Sequence, residues 1–169
     1  MIIDTSIMCV WLRVPGKETA GKNNEWNYNN VSEHIDQEIN NGTKLCLPMT
    51  SVIETGNHIA HVRGDKTSSA DNLRDVIIRA ANGQTPWIVF DQQNEMWKVD
   101  RLTQLAKNWN EQVKKTEHAL GDAIIVEIAK TYAPNFEIEI FTGDGFLKDF
   151  ERKIQGQNNR NKLRRNRNR

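Results

Sequence analysis

Cysteine is scarce in this chain, long apolar runs are absent, and neither sign of charge prevails. The two cysteines, Cys9 and Cys46, lie in the apolar contexts Met8-Cys9-Val10 and Leu45-Cys46-Leu47 and share no CxxC or metal-ligand spacing. That excludes a disulfide scaffold and a cysteine-bound zinc site, and leaves buried, reduced thiols of a cytoplasmic protein. No apolar stretch approaches the roughly 18 residues that cross a bilayer. Asp4 interrupts the apolar N-terminus and no basic segment precedes it, so neither a signal peptide nor a membrane partner is expected. What the chain does have is 169 residues, 37% hydrophobic and 27% charged, enough for one soluble domain with a layered core.

The formal net charge of +1 is a cancellation. Residues 151 to 169 carry eight basic residues and one acidic, net +7, whereas residues 1 to 150 carry 15 basic and 21 acidic, net −6. Residues 155–169 are built from Asn, Gln, Arg and Lys around a single Leu and Gly156. Such a composition buries too little apolar surface to offset its ordering entropy, so 155–169 is expected as a disordered basic tail behind a domain of residues 1–154. Basic tails supply sequence-independent affinity for polyanions by releasing counterions, which makes Arg164, Arg165 and Arg167 candidate substrate contacts.

Short apolar runs alternate with helical patterns. Residues 1–3, 44–48, 86–90 and 137–141 read as strands of a few residues. Val31, Ile35 and Ile39 form one helical stripe with Gly42 past its end. A second helix is expected over 50–62, opened by a capping box in Ser51-Val52-Ile53-Glu54, and a third over 69–81 with Leu73, Val76, Ile77 and Ala80 facing inward. Asp91 can cap a helix burying Leu102, Leu105 and Trp109; further helices follow over 119–132 and 146–154. Residues 15–30 read as a long polar loop. This order predicts an α/β fold, a three-layer α/β/α arrangement around a central, mostly parallel sheet of four to five strands.

In open parallel sheets the working crevice lies beyond the carboxyl ends of the strands. Asp4 closes the first apolar run, Asp144 follows the fourth, Glu54 lies in the first turn after the second, and Asp122 opens another helix. All four are thereby directed to one end. Each has a plainer reading: Glu54 as the capping-box partner of Ser51, Asp122 as a complement to the helix dipole, Asp144 as a turn residue between two glycines. Asp4 is the exception, because a carboxylate ending a buried strand is costly without a partner. Four carboxylates in one pocket repel unless a cation sits among them, and a hard oxygen donor set suits Mg2+.

These residues resemble the motifs of PIN-domain nucleases. Ile2-Ile3-Asp4-Thr5-Ser6 looks like their opening strand motif, and Thr50-Ser51-Val52-Ile53-Glu54 like their second acidic element. The run Gly121-Asp122-Ala123-Ile124-Ile125-Val126-Glu127-Ile128-Ala129 matches their Asp-Ala-headed helix. Phe141-Thr142-Gly143-Asp144-Gly145-Phe146 matches their last acidic turn. The resemblance spans residues 1 to 150 and implies a PIN-like α/β/α domain whose acidic pocket holds Mg2+ or Mn2+. The activity it implies is endonucleolytic hydrolysis of RNA, leaving 5′-phosphate and 3′-hydroxyl ends. Carried over, Asp4, Glu54, Asp122 and Asp144 are both metal ligands and catalytic residues. Thr142, Thr5 and Ser6 would orient a carboxylate or a metal-bound water through their hydroxyls. Within that class a small bacterial toxin or defence effector is the reading pursued, so RNA, an antitoxin-like inhibitory protein and a second copy of the chain are the partners expected. The sequence departs from the common pattern at Phe146, where relatives carry a polar residue, in the long 15–30 loop and in the basic tail.

His58 and His61 share a helix face with Glu54 and could contact a phosphate when protonated, ligate a softer metal or simply face solvent. Trp26, in the polar loop, is a candidate for stacking on a base. Two other readings compete with the nuclease. A metal-dependent adhesion module would want Asp-x-Ser-x-Ser, and Asp4-Thr5-Ser6-Ile7-Met8 puts Met8 at the second Ser. A catalytically silent RNA-binding scaffold would not need an intact set of four acids.

Overall fold

A computed structural model describes residues 1–88, 94, 97–116 and 118–167, without the side chains of 157–167. Among the described residues seven α-helices carry the fold: α1 (Thr5–Trp11), α2 (Tyr28–Asn40), α3 (Met49–Ala60), α4 (Thr67–Ala81), α5 (Val99–Val113), α6 (Leu120–Tyr132) and α7 (Gly145–Arg167). Strands β1 (Ile2–Ile3) and β4 (Ile140–Phe141) pair in parallel, Ile2 opposite Ile140 and Ile3 opposite Phe141. Strands β2 (Thr19–Ala20) and β3 (Trp26–Asn27) form an antiparallel hairpin around a 3-10 turn at Lys22–Asn24.

The central parallel sheet of four to five strands, and with it the three-layer α/β/α class, is not what forms. The protein is mainly helical around a two-stranded parallel pair, which the other apolar runs join only through isolated parallel bridges, Ile2 to Cys46 and Leu45 to Trp87. The reason is local. The first, second and fourth apolar runs each meet a helix start: Asp4 N-caps α1 directly after Ile3, Pro48 opens α3, and Asp144 accepts the first N–H groups of α7. Residues 89 and 90 of the third run, and Asp91, lie outside the described residues. The 15–30 segment, expected as a loop, folds into the β2–β3 hairpin, and Asn27 then caps α2 by accepting the Asn30 N–H at 3.1 Å.

Residues of the extended segments alternate sides, as consecutive extended residues must. Ile3, Leu45, Leu47 and Phe141 pack among Ile7, Val31, Ile35 and Val76 on one side. Ile2, Cys46 and Ile140 pack among Leu105, Ile125, Ile128 and Leu147 on the other. Full burial of each such aliphatic side chain contributes about 1.5–3 kcal/mol, so these two clusters anchor the short strands. The expected stripes hold on α2, closed by Gly42 at φ 83°, and on α4, where Leu73, Val76 and Ala80 are buried. On α5 only Leu105 is buried, while Leu102 is exposed and Trp109 half-buried. Helix α7 passes residue 154 without a break and continues to Arg167, so the basic segment prolongs a helix where the composition suggested none. No helix among the described residues is long and apolar enough to cross a membrane.

Candidate functional site

Three helix starts and one helix interior bring the acids to the carboxyl ends of the extended segments. Asp4 is the N-cap of α1, Asp122 sits in the first turn of α6, and Asp144 precedes α7. Glu54 lies in the second turn of α3, not the first. The capping box expected at Ser51 is absent, because α3 starts at Met49 and the fully buried Ser51 hydroxyl donates instead to the Ile3 carbonyl at 3.0 Å. That removes the plainer reading of Glu54.

Each carboxylate is held by one oxygen. The Oδ2 atom of Asp4, a residue only 6% exposed, accepts the Ser6 hydroxyl at 2.7 Å, the Thr142 hydroxyl at 2.7 Å and the Ser6 N–H at 3.3 Å. The same two hydroxyls accept the N–H groups of Gly143 and Asp144, at 3.0 and 2.9 Å, which locks the 142–144 turn onto the start of α1. Glu54 Oε2 accepts the Thr5 hydroxyl at 2.6 Å. Asp122 Oδ2 accepts the Ala119 N–H at 3.1 Å, and Asp144 Oδ1 accepts the N–H groups of Phe146 and Leu147 at 2.8 and 3.1 Å. No hydrogen bond among the described residues reaches Asp4 Oδ1, Glu54 Oε1, Asp122 Oδ1 or Asp144 Oδ2. Capping and ligand binding are therefore compatible at Asp4, Asp122 and Asp144, since the cap uses one oxygen and leaves the other.

Electrostatics ties the four together. Burial pushes the Asp122 carboxyl above its usual range, the charges of Asp144, Asp4 and Glu54 push the same way, and the Ala119 N–H opposes them. A carboxyl whose pKa is raised on folding costs stability once ionised, so stability falls as pH rises through the carboxylate range and stays lowered at neutral pH. Asp122→Asn keeps an oxygen for the Ala119 N–H. Without divalent cation it is expected to raise the melting temperature at pH 7 by ~2–4 °C and to change it little at pH 3. Melts that match the wild type at both pH values would show that neither burial nor the neighbouring acids raise the Asp122 carboxyl.

The donor set suits a hard divalent cation: all carboxylate oxygens, each group oriented by a protein donor and open on its other oxygen. Among the described residues no group of three or more Asp, Glu, His or Cys side chains stands close enough together to hold a metal ion.

The remaining candidates divide. The Thr5 hydroxyl donates to Glu54, and the Ser6 and Thr142 hydroxyls donate to Asp4. His58 is exposed one turn beyond Glu54; partial burial and the charge of Lys17 pull its pKa down, against Glu54. His61 is turned to the end of α3, its Nδ1 atom 2.7 Å from the Asn57 carbonyl. Trp26 is a wedge rather than an open platform, edge-on to Phe141 at 4.8 Å and against His34 at 5.7 Å. Arg164, Arg165 and Arg167 lie on α7, with side chains outside those described. Cys9 and Cys46 are buried thiols, pushed up to about 11 and about 12 chiefly by burial, which leaves them inert.

Three residues at the site escape sequence reasoning. Lys17 comes close enough for its charge to lower the His58 pKa only through the fold. His118 stacks on Phe146, two residues past Asp144. Gly121 faces Glu54 so closely that any Cβ there would overlap Oε1; its one signal is a glycine inside an otherwise helical pattern. In comparisons with protein-family models, with curated proteins and with solved structures, nothing matches this chain.

Proposed function

We propose that this chain is a metal-dependent endoribonuclease in which Asp4, Glu54, Asp122 and Asp144 hold Mg2+ or Mn2+. The observation that supports this most is the pattern at those carboxylates, one oxygen taken by a protein donor and the other open. A cation bound there supplies an activated water and offsets charge on the scissile phosphate. The chain's own part is positional. The hydroxyls of Ser6 and Thr142 fix Asp4, that of Thr5 fixes Glu54, and the starts of α6 and α7 fix Asp122 and Asp144. Lys17, whose charge is felt at His58, offers positive charge to the substrate backbone, and the basic residues beyond 150 add affinity that salt weakens. Hydrolysis consumes one water and cleaves the P–O3′ bond, leaving a 5′-phosphate and a 3′-hydroxyl.

The resemblance to PIN-domain nucleases supports RNA as the substrate and a toxin or defence role in the cytoplasm. An inhibitory protein that places a basic side chain among the acids would restrain such an activity. Ile53, 56% exposed next to Glu54, gives it an apolar contact. The test is incubation with single-stranded and structured RNA in Mg2+, Mn2+ or EDTA. Cuts bearing 5′-phosphates are expected only with a divalent cation, and Mn2+ added after EDTA should restore them. Cleavage that continues in excess EDTA would sink the proposal.

A further inference from the structure

A groove between α5, α6 and α7 lies beside the acid pocket and takes no part in the chemistry above. We propose that it seats one base of a single-stranded RNA whose phosphate enters the acid pocket; the substrate class rests on the nuclease reading. The cavity is about 160 Å³, and its walls include Asn108, Trp109 and Gln112 of α5, Ala123 of α6, Phe146 of α7 and His118 between α5 and α6.

It shares that wall with two of the acids. Ala123 follows Asp122, the Phe146 N–H donates to Asp144 Oδ1, and Ala119, next to His118, donates to Asp122 Oδ2. A base in the groove therefore has its sugar and phosphate directed toward the pocket.

The lining has the chemistry of a base site. His118 and Phe146 form a flat step, ring centroids 3.5 Å apart and planes at 24°. The step is pinned from both sides: Thr116 Oγ1 lies 3.0 Å from His118 Nδ1, and the Trp109 indole N–H donates to the His118 carbonyl at 3.1 Å. With Nδ1 engaged, Nε2 is the open edge of the imidazole. Asn108 spends its Oδ1 on Gln104 and keeps its amide hydrogens, while the Gln112 carboxamide has no hydrogen bond among the described residues. Lys130 and Glu127, also on the wall, pair with each other, so the groove offers no net charge. Flat aromatic faces with unspent amide groups suit a planar ligand with a polar edge. An aliphatic chain would leave the amides unpaired, and an anion would find no free cation in the wall.

Single-stranded RNA carrying 5-iodouracil at successive positions, irradiated on the full chain with Ca2+ in place of Mg2+ and mapped by mass spectrometry, tests this. Crosslinks are expected on peptides containing Trp109 and His118, reduced about tenfold in the Asn108→Ala/Gln112→Ala variant. Both side chains are exposed, so the circular dichroism spectrum should not change. With Mg2+ the same variant should level the base preference beside the cut. Crosslinks confined to other peptides, from a protein that cuts RNA in Mg2+, would overturn the groove and spare the nuclease. Groove crosslinks from a protein that cuts nothing would keep the base site and overturn the nuclease.

Discussion

Asp4→Asn is expected to lower the RNA cleavage rate by roughly a thousandfold while shifting the melting temperature by no more than about 3 °C. The separation follows from how Asp4 is held. Its Oδ2 atom accepts the Ser6 and Thr142 hydroxyls and the Ser6 N–H, and an asparagine oxygen can accept all three. Asn is also as good an N-cap as Asp, so α1 keeps its start. What changes is the other position, where an amide NH2 replaces the open oxygen and can ligate no cation. Asp4→Ala makes the contrast. It loses the cap, worth about 1 kcal/mol, and strands the buried Thr142 hydroxyl, worth a further 1–3 kcal/mol or so. Single-turnover rates with saturating Mn2+, set beside thermal melts, read both quantities. An Asn variant that retained a tenth of the wild-type rate would take Asp4 out of the chemistry.

The acids were legible because their signals are local. A carboxylate directly after a buried Ile2-Ile3 run, and another in the turn Thr142-Gly143-Asp144, announce themselves whatever surrounds them. The sheet was not legible. The apolar runs set which residues are buried, and Ile2, Ile3, Cys46, Ile140 and Phe141 are indeed buried. Run length is not ladder length, however, because Asp4, Pro48 and Asp144 commit the chain to helix before a ladder can extend. Glu54 shows the opposite error. The Ser-x-x-Glu spacing is present, but Pro48 and Met49 start the helix earlier, and Ser51 is spent on the Ile3 carbonyl. Trp26 looked available from its polar neighbours, yet the hairpin folds it onto Phe141. Lys17 and His118 carry no local signal of their roles, and Gly121 only that of a glycine within a helical pattern, because those roles depend on what the fold brings opposite.

Gly121 yields the sharper experiment, because activity should fall by far more than any change in stability explains. The residue is buried in the first turn of α6, with a backbone conformation that any L residue can adopt. Alanine in a helix is favoured over glycine by about 0.5–1 kcal/mol, so helix propensity alone predicts a gain of ~1–4 °C for Gly121→Ala. The new Cβ would, however, overlap Glu54 Oε1 and lie 3.1 Å from Cδ. The obstacle is the end of a side chain and not backbone, so the cheap relief is to swing the Glu54 carboxylate aside. That breaks its 2.6 Å hydrogen bond from the Thr5 hydroxyl and withdraws one oxygen donor from the pocket. Cleavage is then expected to fall about 100-fold, and Mn2+ affinity by about tenfold or more, in a folded protein whose helix gain is offset by the lost hydrogen bond. Adding Glu54→Gln should cost little further, since both changes remove the same group and their effects cannot add. A Gly121→Ala protein with the wild-type rate would show that the Glu54 carboxylate does no chemistry. Full additivity with Glu54→Gln would show instead that Gly121 acts through something other than Glu54.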